Sequence, residues 1–204
     1  MTLILVHCAY PQALSHRGPG FGRLLTPHDC SRAADTAAAG IPWAADNEAF
    51  SRGLNERRYL AMVELLRGVD RCLFVTAPDV VGDWFETRAL FDHYERQLAG
   101  VPIAYVAQDG QPADLVPWDG IAALFIGGTT EYKLGVEAER LAREAKRRGL
   151  WLHVGRVNSR RRFDYARALG ADSIDGSKFS TWRKTWLPDA LRWHLDHVQE
   201  RLPL

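Results

Sequence analysis

The feature of this sequence that most constrains its fold is a repeated unit. A short apolar run is followed by a segment whose apolar residues have helical spacing, then a glycine, then the next apolar run. This alternation is typical of a parallel β-sheet whose strands are joined by helices. Seven runs predict strands, most of them apolar throughout, as in strands buried on both faces. They are residues 2–8, 41–45, 72–77, 103–107, 123–126, 151–154 and, most weakly, 173–174.

Helices are predicted between these runs, at residues 31–39, 55–67, 84–99, 135–148, 159–169 and about 188–201. Asn55, Asp83 and Ser159 are candidate N-caps because their side chains can accept a hydrogen bond from the first turn. Five helices are predicted to stop at a glycine, the residue that most readily adopts the left-handed conformation. These glycines are Gly40, Gly68, Gly100, Gly149 and Gly170.

Residues 11–27 interrupt the alternation with glycine and proline, so we expect a loop there and consider it a candidate lid. No linker divides the 204 residues, and we expect a single domain. Seven predicted strands fit two architectures, a (β/α) barrel and an open, doubly wound parallel sheet. The pattern alone leaves both open.

The charge of the chain is balanced overall but not along its length. There are 26 basic and 25 acidic residues, a net charge of +1, which argues against a polybasic protein that binds through bulk charge. Residues 1–130 contain 10 basic and 15 acidic side chains, a net charge of −5. Residues 131–204 contain 16 basic and 10 acidic side chains, a net charge of +6, so a local basic surface is compatible with the sequence.

The three cysteines, Cys8, Cys30 and Cys72, are widely spaced and predict neither a disulfide framework nor a structural zinc site. The histidines show no metal-ligand spacing, and we expect no metal and no cofactor. The apolar start of the chain is short and lacks a basic leader, and no run approaches the length of a membrane span. We therefore expect a cytoplasmic protein that does not associate with a membrane.

Polar residues follow the predicted strands at the point where each strand ends. In parallel α/β folds the functional site gathers at the carboxyl ends of the strands. An aspartate there can act in acid–base or nucleophilic chemistry, or it can simply cap the next helix. Capping explains any one aspartate well, but it explains three such residues together less well. The residues at these ends are Asp46, Asn47, Asp79, Gln108, Gly127, Gly128 and Asp175.

Basic residues lie close to the last two predicted strands. Arg156 follows the strand at 151–154, and Arg160 and Arg161 begin the next helix. Basic runs of this kind usually form a solvated helix face. Their position beside the predicted site also makes them, together with Lys133, candidate contacts for nucleic-acid phosphates.

The ordered motifs resemble those of the tRNA-guanine transglycosylase superfamily, and most closely the short phage relatives that place 7-deazaguanine bases in DNA. The resemblance covers about residues 40–180, and each motif alone is short. The family's cysteine-rich zinc site is missing, and the chain is shorter than a typical tRNA enzyme. The motifs are AADNEAF (44–50), FVTAPD (74–79), AYVAQDG (104–110), LFIGG (124–128) and GRVNSRRRFDYARALGADSIDG (155–176).

The resemblance implies a compact (β/α)8 barrel that exchanges guanine in DNA, or less favourably in tRNA, for a free 7-deazaguanine such as preQ0. The last aspartate of the family's G-x-D-x-x-D run is its nucleophile, which implies this role for Asp175. Asp79 matches the second catalytic aspartate and is expected to act as general acid and base or to bind the base. The base is expected to contact Gln108, Gly127 and Gly128, with Asp46 and Asn47 beside them. For a phage protein, the setting is the host cytoplasm.

Two other functions fit the same residues. An N-glycosidase or nucleoside hydrolase would use the same two aspartates, with water in place of the incoming base. A nucleic-acid-binding barrel without catalysis would use only the arginine-rich last third of the chain. The sequence does not determine the oligomeric state.

Overall fold

Eight parallel strands form a closed barrel in the computed structural model, which describes residues 2–7, 20–181, 189, 192 and 193. Each strand pairs with the next along the chain, and the last pairs with the first, with Leu5 opposite Asp175. The (β/α)8 barrel is therefore confirmed, and the open doubly wound sheet is wrong. The strands are β1 (Leu3–His7), β2 (Phe21–Leu25), β3 (Trp43–Ala45), β4 (Cys72–Thr76), β5 (Ile103–Ala107), β6 (Ala123–Ile126), β7 (Trp151–Val154) and β8 (Ser173–Asp175).

Strand β2 corrects the prediction of a loop at residues 11–27. The run Phe21–Leu25 contains a glycine and an arginine, so it does not show the apolar pattern that predicts a strand. The structure explains why each of these two residues is present. A Cβ on Gly22 would lie 2.7 Å from Leu5 Cδ2 and 2.8 Å from the Pro42 carbonyl oxygen, so the closely packed sheet leaves no room for a side chain. Arg23 is buried, and its Nη1 donates to Thr36 Oγ1 at 2.6 Å. Residues 11–19 of the candidate lid lie outside the described residues.

In the described part of the chain, α-helices follow β2, β3, β4, β6, β7 and β8, and two short 3-10 turns connect β5 to β6. The three predicted N-caps are confirmed: the side chains of Asn55, Asp83 and Ser159 each accept a hydrogen bond from a backbone N–H of the following first turn. Most of the predicted final helix, about 188–201, lies outside the described residues. The helices are α1 (Ala33–Ala38), α2 (Ala49–Arg52), α3 (Glu56–Leu66), α4 (Trp84–Tyr94), α5 (Thr130–Lys133), α6 (Val136–Arg147), α7 (Arg160–Ala168) and α8 (Ser177–Thr181).

Successive side chains of each strand point to opposite sides of the sheet, which creates two apolar layers. Ile4 belongs to the layer between the barrel and its helices, whereas its neighbour Leu5 belongs to a smaller cluster inside the barrel. The inner cluster closes the barrel below the carboxyl ends of the strands, so the barrel interior is packed rather than an open pore. It contains Leu5, Leu24, Ala44, Phe74, Ala104 and Ala123. Within the described part of the chain, no helix combines the length and apolar character that a bilayer crossing requires.

Candidate active site

A cavity of about 380 Å³ opens at the carboxyl ends of the strands. This volume is in the range of small-molecule and nucleotide pockets. Its wall combines polar groups with the apolar side chains of Val106 and Phe125. Eight of the eleven residues predicted from the sequence line it: Asp46, Asn47, Asp79, Gln108, Gly127, Gly128, Arg156 and Asp175.

Asp175, the last residue of β8, is 6% exposed and faces this cavity. Its Oδ1 accepts a hydrogen bond from the Arg156 backbone N–H at 2.9 Å and lies 3.3 Å from His153 Nε2. Its Oδ2 lies 3.9 Å from His7 Nε2. Burial raises the pKa of Asp175, but the contacts with His153, His7 and the Arg156 N–H outweigh burial and hold the pKa below its ordinary value. The carboxylate is therefore ionised at neutral pH, as a nucleophile requires.

Asp79 lies on the loop after β4 and is held by two side-chain amides. Asn47 Nδ2 donates to its Oδ1 at 2.8 Å, and Gln108 Nε2 donates to its Oδ2 at 2.7 Å. Gln108 Oε1 in turn accepts from the Gly82 N–H at 3.0 Å. Burial raises the pKa of Asp79 to about 6, and the two amides only partly oppose it. Such a carboxyl group can gain and lose a proton near neutral pH.

Asp46 follows β3 and is a second carboxyl group whose pKa is raised. Burial is the largest cause, His7 opposes it, and the charge of Asp175 raises the pKa further. The hydrogen bond found for its carboxylate is a long one, 3.2 Å from the Glu48 backbone N–H to Oδ1. Asp46 therefore belongs to the same electrostatic cluster as Asp175 and is held less tightly than Asp79.

The glycine pair after β6 provides space at one side of the cavity. A Cβ on Gly127 would lie 2.6 Å from Val106 Cγ1 and 3.1 Å from Gln108 Nε2, and the Gly127 N–H is already bonded to the Ala107 carbonyl oxygen. Gly128 has a φ of +72°, and its carbonyl oxygen accepts a hydrogen bond from the Arg156 guanidinium. The contribution of Gly127 is therefore its missing side chain rather than a free N–H.

Two residues of the cavity wall have left-handed backbone conformations that are rare outside glycine. Glu48 has a φ of 61° and Arg156 has a φ of 58°. The Arg156 guanidinium lies over the ring of Phe50, 4.3 Å from its centroid, and that ring is 64% exposed at the cavity mouth. Strained backbone of this kind concentrates at functional sites, where the surrounding structure maintains it.

The three predicted phosphate contacts outside the cavity differ from one another. Lys133 is 5% exposed and, with Arg156 and Arg162, lines a small depression beside the site. Burial, and then the neighbouring Arg156, lower the pKa of Lys133 to about 8. Arg161 lines an adjoining surface pocket with Arg162. Arg160 instead pairs with Asp164, with Nε to Oδ2 at 2.9 Å.

Sequence reasoning missed three residues that contribute to the site, His7, Phe50 and His153. His7 ends β1 and Phe50 lies in α2, and both line the cavity. His153 lies within β7, is fully buried, and contacts the cavity residues Asp175 and Phe125. The signal available for His7 and His153 is a histidine inside an otherwise apolar strand. Among the described residues, no three potential metal-ligating side chains lie close enough together to hold an ion.

Comparison with known proteins does not assign a function to this chain. No family model and no curated protein matches this chain.

Proposed function

We propose that the protein is a base-exchange transglycosylase that replaces guanine in DNA with a 7-deazaguanine, through a covalent bond between Asp175 and the sugar. One observation carries the proposal. The cavity contains a carboxylate whose pKa is lowered, Asp175, and two carboxyl groups whose pKa values are raised, Asp79 and Asp46. Environments that drive carboxyl pKa values apart are typical of sites that need a nucleophile and a proton donor together.

The exchange takes two displacements. An Asp175 oxygen attacks C1′ of the target deoxyguanosine, and the bond from C1′ to guanine N9 breaks. The bonding electron pair leaves with guanine, which takes a proton from Asp79. The incoming deazapurine then gives its proton to Asp79, and its nitrogen attacks C1′ and releases the Asp175 carboxylate. Atoms and charge balance over the cycle, and the enzyme returns to its starting state.

Asp46 is a second candidate for the proton transfer, and the weaker contacts of its carboxylate support this role. Both oxygens of Asp79 are occupied by Asn47 and Gln108, whereas the Asp46 carboxylate has a long backbone contact and lies in the field of Asp175. If Asp46 transfers the proton, Asp79 orients the amides beside the base. Separate Asp46→Asn and Asp79→Asn variants distinguish the two roles. Loss of the proton-transfer residue should remove the dependence of exchange on its titration, whereas loss of the other carboxyl group should only shift the pH at which that dependence occurs.

The surroundings of the cavity support a nucleic-acid substrate. The exposed ring of Phe50 at the mouth, together with Val106 and Phe125 in the wall, offers apolar surface for a purine that has left the base stack. Lys133 and Arg156 provide positive charge beside it. We place the protein in the cytoplasm, and the free thiols of Cys30 and Cys72 are consistent with a reducing setting.

The direct test incubates the protein with a guanine-containing DNA duplex, the same strand unpaired, or tRNA, each with an isotopically labelled 7-deazaguanine. Nucleoside mass spectrometry measures incorporation, and denaturing electrophoresis measures the covalent adduct. We expect label in DNA and an adduct with the wild type. Asp175→Asn should abolish both, because an amide is a poor nucleophile.

Asp172→Asn is the matched control. Asp172 belongs to the same sequence motif, but its carboxylate accepts hydrogen bonds from Lys146 and the Leu152 N–H and does not line the cavity. It should retain exchange. Abasic product without label would replace the proposal with hydrolysis. Salt-dependent binding that Asp175→Asn and Asp79→Asn leave unchanged, with no base released, would replace it with a non-catalytic binding protein. Full exchange by Asp175→Asn would refute the nucleophile.

A further inference from the structure

Side chains of β7 and β8 form a continuous chain of hydrogen bonds that begins at the half-buried Trp151 and ends at Asp175. Trp151 Nε1 donates to Ser173 Oγ at 2.8 Å, and Ser173 Oγ lies 2.8 Å from His153 Nδ1. The other ring nitrogen of His153, Nε2, lies 3.3 Å from Asp175 Oδ1. Parallel pairing puts His153 opposite Ser173 in the register. His153 and Ser173 are both fully buried, so water does not compete for these groups.

The donors and acceptors of this chain determine which nitrogen of His153 carries the proton. An indole N–H only donates, so Ser173 Oγ accepts from Trp151. Ser173 Oγ has a second lone pair, so its bond to His153 Nδ1 could run in either direction, and the acceptor at the other ring nitrogen decides which nitrogen is protonated. Asp175 is an acceptor-only carboxylate, so a ring with a single proton has it on Nε2, and Ser173 then donates its hydroxyl proton to Nδ1. The opposite tautomer would place a nitrogen lone pair against that carboxylate.

We propose that His153 is a positioning residue for Asp175, kept in its Nε2–H tautomer by Ser173 and Trp151. This inference rests on the proposed function. Oδ1 of Asp175 receives two N–H donors, from His153 and from the Arg156 backbone. Oδ2 has a longer contact, 3.9 Å to His7 Nε2. Oδ2 is therefore the oxygen that attacks C1′, and the chain of donors fixes the direction of attack.

A packing role alone is the competing explanation for His153. Its ring packs against two aromatic rings in tilted and edge-on contacts, with its centroid 5.1 Å from that of Phe74 and 4.4 Å from that of Phe125. Phenylalanine at this position keeps an aromatic ring in contact with Phe74 and Phe125 but has no ring N–H. Glutamine can place an amide N–H near the position of Nε2. A comparison of His153→Phe with His153→Gln therefore separates packing from hydrogen bonding.

The kinetic test measures the single-turnover rate of adduct formation and, separately, the affinity for the oligonucleotide. We expect His153→Phe to slow adduct formation about 100-fold at unchanged affinity, a typical cost for the loss of one oriented donor. His153→Gln should recover most of the rate, and Ser173→Ala should slow it through loss of the tautomer. Adduct formation by His153→Phe at the wild-type rate would overturn the positioning role, as would equal losses in the two His153 variants.

A second readout does not depend on activity. Proton–nitrogen correlation spectra of ¹⁵N-labelled wild-type protein report which ring nitrogen of His153 is protonated, with His153→Gln used to assign the signals. We expect Nε2–H in the wild type and a mixture of tautomers in Ser173→Ala. An Nδ1–H ring in the wild type would overturn the inference even if exchange occurs. The absence of any adduct in the wild type would instead refute the proposed function.

Discussion

The raised pKa of Asp79 predicts a specific pH dependence of folding stability. Its pKa is about 6 in the folded protein, against an ordinary value of 3.8. Below about pH 4 the group is protonated in both the folded and unfolded states, so it makes no difference to stability. Above about pH 6 it is ionised in both states, and the folded state bears the cost of a charge taken out of water. The difference in pKa corresponds to roughly 3 kcal/mol of lost stability, which develops as the pH rises between these values.

Replacement of Asp79 with asparagine removes this titration while it keeps the shape of the side chain. The new NH2 group also faces the amides of Asn47 and Gln108, which adds a cost that does not vary with pH. The informative quantity is therefore the difference in unfolding free energy between Asp79→Asn and wild type, measured by urea denaturation from pH 4 to pH 8. We expect this difference to change in favour of the variant by up to roughly 3 kcal/mol between pH 4 and pH 7.

The matched control for this experiment is Asp92→Asn, which removes an exposed carboxylate that pairs with Arg88 on α4. Its difference from wild type should be small throughout, as for most surface ion pairs. If the difference in unfolding free energy between Asp79→Asn and wild type is constant across the whole pH range, burial does not raise the pKa of Asp79. Asp79 would then not be suited to transfer a proton near neutral pH.

Three further substitutions test other parts of the structure. Gly155→Ala would place a Cβ 2.4 Å from Phe125 Cε2, so we expect a loss of about 1–3 kcal/mol in urea denaturation, and an unchanged midpoint would contradict the packing. Asn55→Ala removes the cap of α3 and should cost about 1 kcal/mol, measured as a lower Tm, whereas an unchanged Tm would show that the cap is dispensable. Lys133→Met should reduce the salt slope of DNA binding in fluorescence anisotropy by about one, whereas Arg160→Gln should not; equal slopes for both variants would refute the distinction.

The positions of the predicted site residues followed from the sequence because a parallel fold brings the carboxyl ends of its strands to one face. Asp46, Asp79 and Asp175 lie far apart in the chain, yet each follows an apolar run, and all three line one cavity. The order of the strands was sufficient for this prediction. The order of the strands did not distinguish the closed barrel from the open sheet, because the glycine and arginine of β2 kept this strand from being predicted.

Side-chain partners could not be predicted in the same way. Lys133 and Arg160 carry equal charge in the sequence, but one is buried beside the site and the other is paired with Asp164. His153 reads as one polar residue in an apolar strand. Its contacts with Ser173 and Asp175, 20 and 22 residues further along, exist only because β7 and β8 pair in one particular register.

The closure of the barrel by β8 has a consequence for when the proposed active site is assembled during synthesis. The proposed nucleophile lies on the last strand of the barrel, which pairs with β1 from the beginning of the chain as well as with β7. A nascent or truncated chain that stops before Ser173 contains Asp46 and Asp79 but not the proposed nucleophile, and it exposes two unpaired strand edges that can aggregate. The proposed nucleophile therefore takes its place in the cavity only when the ring of strands is complete, so the proposed activity requires the whole barrel.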